Sequence, residues 1–202
     1  MSKINFTKIV ERRANGWDIV ENKEYDNFII TTDIKFAKVK PSAKIPTKRQ
    51  EDAGMDVYAC FDEDYMIIMP HETKMIPTGI ASSCSDDFMF KLEERGSTGT
   101  KGIEQRCGII DSGFRGEWFA PLTNGNDYPI IISKKSDLKD TDLNVDLLNK
   151  TYGQVVIYPY EKAICQAMVI PVPRLNIEEI SYEELQNIES DRGTGALGSS
   201  GK

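Results

Sequence analysis

The sequence predicts an all-β domain, a sandwich or a barrel, and three observations point there. Short runs rich in Val, Ile, Phe and Tyr recur between turn residues: "FIITTDIKFAKV", "MDVYACF", "YMIIMP", "KMIPTGIAS", "DFMFKLEE", "GIIDSGF", "EWFAPLTN", "YPIIIS", "GQVVIYPY" and "KAICQAMVIPV". Runs at this spacing are the pattern of strands joined by short turns. Long helices have little room between them. The 202 residues, 40% apolar with both charge signs mixed through the chain, suffice for one domain with a sizeable core and leave a second one cramped.

Taken in order, residues 1–33 precede the first well-marked strand and form an N-terminal extension that carries no legible motif. The strand pattern occupies residues 34–191 and is broken by an insertion around 125–157. Its polar stretch "KKSDLKDTDLNVDLLNKTYG" (134–153) reads as a surface excursion with one short helix at most. The clearest helix is "SYEELQNIE", where Ser181 and Glu184 stand at capping-box spacing ahead of Leu185 and Ile188. The chain closes on "RGTGALGSSGK" (192–202), which holds four glycines. That composition suits either a flexible tail or a loop folded round phosphates, with backbone N–H groups, Arg192 and the Ser199 and Ser200 hydroxyls as donors.

Composition removes several classes of function. A net charge of −7 argues against a general nucleic-acid or membrane-surface binder, because such proteins carry an excess of Lys and Arg. Any phosphate ligand must therefore meet a local basic cluster or a metal. The longest apolar runs are far below membrane-spanning length and the first residues show no signal-peptide pattern, so a soluble, cytoplasmic protein is expected. Cys60, Cys84, Cys107 and Cys165 form no CxxC pair, and His71 is the only histidine. A zinc site, a Cys/His nucleophile pair and a serine triad all fail on that inventory, and buried reduced thiols are expected.

Four internal stretches carry candidate chemistry, each beside a plainer reading. "EDAGMDVYA" (51–59) sets Gly54 between Asp52 and Asp56, which a tight turn entering a strand also wants. "EERGSTGTKGI" joins Arg95 and Lys101 to three glycines and suits an anion clasp or a basic turn. "GIIDSGFRGEW" places Asp111 where a hairpin would reverse, and an Asp there usually bonds its own backbone. "YEKAICQAMVIP" reads as a buried strand in which Gln166 needs hydrogen-bond partners.

In this order, "EDAGMD", "ERGSTGTKG", "GIIDSGFRGE", "KAICQ" and "RGTGALGSSG" resemble the five motifs of the trimeric all-β dUTP diphosphatases (dUTPases), of a phage-type or low-GC bacterial kind. "IPTGIA" (76–81) resembles a linking stretch of the same family. The resemblance implies a distorted β-barrel or jelly roll, a homotrimer with C-terminal arm exchange, and hydrolysis of dUTP to dUMP and pyrophosphate. It implies that Asp111 aims a water at the α-phosphorus. Arg95, Gly96 and Ser97 would grip phosphate oxygens, Gln166 would lie near the α-phosphate, and Asp56 would hold the water shell of Mg²⁺. The element around Gly108, Ile110 and Phe114 would read uracil and pack on the deoxyribose. Arg192, Leu197, Gly198 and Ser199 would belong to a fifth-motif loop that closes over the nucleotide.

Some positions depart from the family pattern. Phe114 stands for the usual tyrosine, Leu197 for the stacking phenylalanine and Lys162 for an arginine, while Gly96 and Ser97 are exchanged in order. The alternatives to a dUTPase are a dCTP deaminase of the same fold, whose general-base glutamate would stand where this chain has Arg115, and a regulatory protein. For the latter, the 134–153 excursion is the candidate surface for a protein partner.

Overall fold

The computed structural model describes residues 32–138, 143–191 and 193–194, together with the backbone of 9–13 and 16–20. Strands β1 (Ile9–Arg13) and β2 (Gly16–Val20) pair with each other in antiparallel fashion. The domain proper runs through β3 (Lys35–Lys38), β4 (Met55–Tyr58), β5 (Tyr65–Ile68), β6 (Thr73–Pro77), β7 (Ile80–Ser83) and β8 (Phe88–Glu93). A single helical turn, α1 (Gly96–Gly99), precedes β9 (Ile103–Gln105), β10 (Ile109–Ile110), β11 (Phe119–Asn124) and β12 (Ile130–Ser133). Helix α2 (Val145–Tyr152), β13 (Val156–Pro159), β14 (Ala163–Pro171) and helix α3 (Tyr182–Asn187) complete the chain. The predicted all-β class therefore holds. Among the described residues the strands fall into small sheets ordered β10-β8-β14-β4, β6-β11-β9, β13-β12-β5 and β3-β7, and no closed barrel forms.

Sequence pattern explains the layers. Strand β4 alternates buried Met55 and Val57 with half-buried Asp56 and Tyr58, the period of a strand with one face on the core. Strand β12 pairs with β5 on one edge and β13 on the other and is buried at all four positions, so both of its faces are covered, and its first three residues are isoleucine. The core gathers on Trp118, wholly buried, with the rings of Phe36 and Phe90 at 5.5 and 4.9 Å between centroids. Its indole N–H donates to the Ser82 hydroxyl at 3.1 Å, so the ring's one polar atom is satisfied inside the core.

Helix α3 forms where its capping box foretold: Ser181 Oγ accepts from the Glu184 N–H at 3.1 Å, and the Glu184 carboxylate accepts from the Ser181 N–H at 2.8 Å. Helix α2 is the one short helix expected in the excursion, capped by Asn144 and stopped by Gly153 at φ 76°. Four local expectations need correction. The insertion expected over 125–157 contains core strands at both ends, since Ile130–Ser133 is fully buried and pairs in parallel with β13. Between β12 and β13 the described residues are 134–138, of which Leu138 is buried, and 143–155, which hold α2. The turn at Asp111 is not a hairpin, because β10 pairs with β8 while β11 pairs with β6 and β9. The long run "FIITTDIKFAKV" forms a ladder only over Lys35–Lys38 among the described residues. Cys60 and Cys165 are buried thiols as expected, but Cys84 is half-buried and Cys107 is exposed. Among the described residues no helix is long and apolar enough to cross a membrane.

Trp118→Ala should lower unfolding free energy by about 3–5 kcal/mol through the cavity it leaves. A urea titration followed by far-UV circular dichroism measures the shift, and an unchanged midpoint would show that the core does not centre on this ring.

Candidate active site

The site grows from the position of β14 between β4 and β8. The ladder sets Gln166 opposite Asp56 on one side and Glu93 on the other. Two motifs far apart in sequence thereby meet across a third. Arg95, two residues past Glu93, turns its guanidinium back over β14: Nε lies 2.9 Å from Asp56 Oδ1, and Nη2 donates to Oδ2 at 3.4 Å. Nη1 donates to the Ala163 carbonyl at 3.2 Å, beside an irregularity of the ladder between Ala163 and Cys165. The buried Tyr158 hydroxyl donates to the same carbonyl at 2.7 Å.

Gln166 is satisfied as its place in an apolar strand requires: Nε2 donates to the Glu94 carbonyl at 2.7 Å. Gly54 makes room for it, since a Cβ there would stand 2.5 Å from Gln166 Oε1. The α1 turn is tied by the buried Thr98, whose hydroxyl lies 3.0 Å from both the N–H and the carbonyl oxygen of Arg95. That leaves Gly96 and Ser97 on the exposed side, with open space where a Gly96 side chain would be. Beneath Arg95 and Asp56, burial pushes the Cys165 thiol up to about 12, against a downward pull from Arg95 and with a further rise from Asp56. It remains a protonated, inert thiol rather than a nucleophile.

Asp56, Arg95, Gly96, Ser97 and Gln166 thus share one open cleft of about 770 Å³. Gly108, Ile110, Asp111 and Phe114 form a second group outside it. Gly108 packs so closely on β8 that a Cβ would meet the Leu92 carbonyl oxygen at 2.3 Å, while its own carbonyl accepts from Leu92 N–H at 2.7 Å. Asp111 is exposed, its carbonyl accepting from Phe114 N–H at 3.0 Å, and the Phe114 ring lies against Gly116. Arg115 Nη1 braces this turn by donating to the carbonyls of Ser112 at 2.5 Å, Phe114 at 3.1 Å and Ser82 at 3.4 Å. Because β10 and β8 are antiparallel with Ile110 opposite Phe90, the chain carries Asp111 away from the Glu93–Gln166 pair. The strand between those two pairs alone spans roughly 10 Å. Arg192, Leu197, Gly198 and Ser199 lie outside the described residues.

Sequence reasoning passed over Thr47, Lys48, Arg49 and Ala53, which also line the cleft. The signal was present in "TKRQ", two adjacent cations just ahead of "EDAG". His71, at φ 58° in a surface turn, faces Asp127 with 2.9 Å between Nε2 and Oδ1 and takes no part in either group.

Comparison with known proteins decides what kind of molecule this is. The dUTPase family profile matches residues 40–138. The deoxyuridine 5'-triphosphate nucleotidohydrolase of Nautilia profundicola is 31% identical over 173 residues, covering 84% of this chain and 99% of that protein. The chain belongs to the dUTPase family. Its fold agrees: the dUTPase of Staphylococcus bacteriophage 80alpha, solved with dUPNHPP, superposes with a TM-score of 0.63 at 20% identity over 84% of this chain and 99% of its own. A dUTPase mutant from phage phi11 of S. aureus, solved with a coordinated structural Mg(II) ion, gives 0.57 at 19% identity over 75% of this chain and 99% of its own.

Two glycines of this dUTPase separate site from scaffold. Gly54→Ala should displace Gln166, weaken nucleotide binding roughly tenfold or more and cost about 1 kcal/mol through the disturbed Gln166–Glu94 bond. Gly108→Ala should cost about 1–3 kcal/mol of stability, because backbone rather than a side-chain tip must give way. Calorimetry on both variants checks the contrast. Iodoacetamide at pH 8 should leave Cys60 and Cys165 unmodified in the native protein and label both after unfolding, as mass spectrometry would read directly.

Proposed function

We propose that the protein hydrolyses dUTP to dUMP and pyrophosphate, limiting uracil in DNA and supplying dUMP. The observation that carries this reading is the division of the site: a cleft built for phosphate oxygens by Arg95, Gly96, Ser97 and Gln166, and a separate turn carrying a lone exposed carboxylate. Asp111 accepts a hydrogen bond from a water and then its proton, while the water oxygen bonds to the α-phosphorus. The bond from that phosphorus to the oxygen bridging to the β-phosphate breaks, and pyrophosphate leaves with its electron pair. Arg95 and the N–H and hydroxyl groups of α1 balance charge on the oxygens, which is most of what phosphoryl transfer asks of a protein.

The donor set fits Mg²⁺. Among the described residues no three His, Cys, Asp or Glu side chains cluster into a cage, and Mg²⁺ keeps its waters and prefers phosphate oxygens with one or two carboxylates. Asp56 lines the cleft and, though paired with Arg95, has lone pairs left on both oxygens for the ion's water shell. When bound, the ion neutralises charge on the phosphates. The backbone around Gly108 and Ile110 reads the base, and because uracil and cytosine present opposite donor and acceptor patterns, a buried pairing there rejects cytosine by roughly 10⁴ or more.

Within one chain Asp111 lies outside the lining of the phosphate cleft, and a homotrimer in which one copy's turn faces another copy's cleft would bring the two together. The C-terminal arm supports it: Leu175, Ile177, Ile180, Leu185 and Ile188 are all exposed and apolar, a stripe that a neighbouring subunit would cover. The deaminase alternative loses its base, since Arg115 is a guanidinium already donating to three carbonyls. Within the 134–153 excursion, α2 is the surface proposed for a protein partner, because it buries none of its side chains and leaves Leu147 57% exposed.

Asp111→Asn should lower kcat for pyrophosphate release by about 10²–10⁴ while dUTP still binds. A panel of deoxynucleoside triphosphates and UTP with Mg²⁺, scored for pyrophosphate and for ammonia, should show turnover of dUTP alone. Full activity in the Asp111→Asn variant, or ammonia from dCTP, would overturn the reading.

A further inference from the structure

One wall of the phosphate cleft is made by a loop whose first residues, Thr47, Lys48 and Arg49, no motif covers. The loop 47–54 enters β4 through the Asp56 N–H, which donates to the Thr47 carbonyl at 3.1 Å, and it ends at Gly54 under Gln166. Lys48 staples it from inside: Nζ donates to the carbonyls of Asp52 at 2.7 Å and of Arg49 and Gln50 at 3.3 Å each. Arg49 forks onto Asp52, Nε to Oδ2 at 2.9 Å and Nη2 to Oδ1 at 2.8 Å, while its own N–H donates to Oδ2 at 3.2 Å. The loop is therefore fixed, and a guanidinium is held at its rim with its side chain 87% exposed.

Charge says what this guanidinium is for. The cleft is lined by three basic side chains, Lys48, Arg49 and Arg95, and by two acidic ones, Asp52 and Asp56. Arg95 is engaged by Asp56. Without the loop's two cations, a polyphosphate would meet one arginine against two carboxylates. The fork to Asp52 uses two of Arg49's five N–H donors, and an exposed pair of this kind contributes little to stability. Trading or sharing it with a phosphate oxygen is therefore cheap, and a planar fork suits a phosphate better than a lysine does.

We propose that Arg49 is a polyphosphate-binding residue of this cleft, held ready by Asp52 on the loop that Lys48 rigidifies. It grips the phosphate chain and is not needed for the chemical step. The proposal deepens the reading of the cleft as the phosphate site and rests on it.

The test pairs Arg49→Ala, Arg49→Lys and Asp52→Asn. Inorganic tripolyphosphate binding is measured by calorimetry on the full chain, and KM and kcat for dUTP by pyrophosphate release. Losing one charge-assisted fork should weaken tripolyphosphate binding and raise KM about tenfold with kcat unchanged. Arg49→Lys should recover part of the loss, and Asp52→Asn, which releases Arg49, should bind tripolyphosphate at least as tightly as the parent. If the pair merely staples the loop, Arg49→Ala and Asp52→Asn will weaken binding alike. That result, or unchanged binding and KM in Arg49→Ala, would overturn the inference. Failure of the parent protein to release pyrophosphate from dUTP would instead sink the functional reading, and the tripolyphosphate comparison would still decide the role of Arg49.

Discussion

Everything at the candidate site depends on the register of β14 between its two neighbours. Gln166 faces Asp56 across one edge and Glu93 across the other, so the first, second and fourth motifs meet at one place although 110 positions of sequence separate Asp56 from Gln166. A slip of one residue would turn Gln166 into the core and bring Cys165 to the cleft, since neighbouring strand positions point to opposite faces. The Arg95–Asp56 pair sits on top of this ladder with side chains 28% and 38% exposed. A pair so wet adds little to stability. Its value is placement: it holds a flat cation over the strand and leaves carboxylate lone pairs facing the cleft.

The scaffold and the site draw on different physics. Trp118, Phe90 and Phe36 hold the sheets together by burial, and Thr98, Tyr158 and Gln166 satisfy their polar atoms on backbone carbonyls or N–H groups. Those bonds satisfy groups inside the fold, whereas Ser97, Arg49 and Asp111 lie exposed, where a ligand can reach them. Glycine serves the same division. At Gly54 and Gly108, each just ahead of a strand, the missing side chain lets the chain approach a neighbouring strand closely. The distance between cleft and turn then follows from strand direction alone, because β10 runs antiparallel to β8 and takes Asp111 away from Arg95.

Much of this was legible in the chain. Alternating or continuous apolar runs marked β4, β8, β12 and β14, the capping box marked α3, and the motifs named Asp56, Arg95, Gly96, Ser97 and Gln166, which line the cleft. What escaped were relations between distant segments. The Asp111 turn looked like a hairpin because two apolar runs flank it, yet its strands join different sheets. The insertion looked longer than it is because Ile130–Ser133 stands between polar stretches, although it is core. Lys48 and Arg49 carried no reading from the sequence, since nothing local tells that their loop lines a cleft with a strand residue more than 100 positions later.

By itself the sequence determined the all-β class, the family and the place of most strands, all of which depend on side-chain period, turn chemistry or motif order within a few residues. Tertiary structure alone decided which strands pair, that the cleft and the carboxylate turn stand apart on one chain, and that a fixed arginine rims the cleft. The reason is that a residue's period reports which face of a strand it occupies, whereas its neighbour across the sheet is set by chain topology and register, which no local pattern encodes.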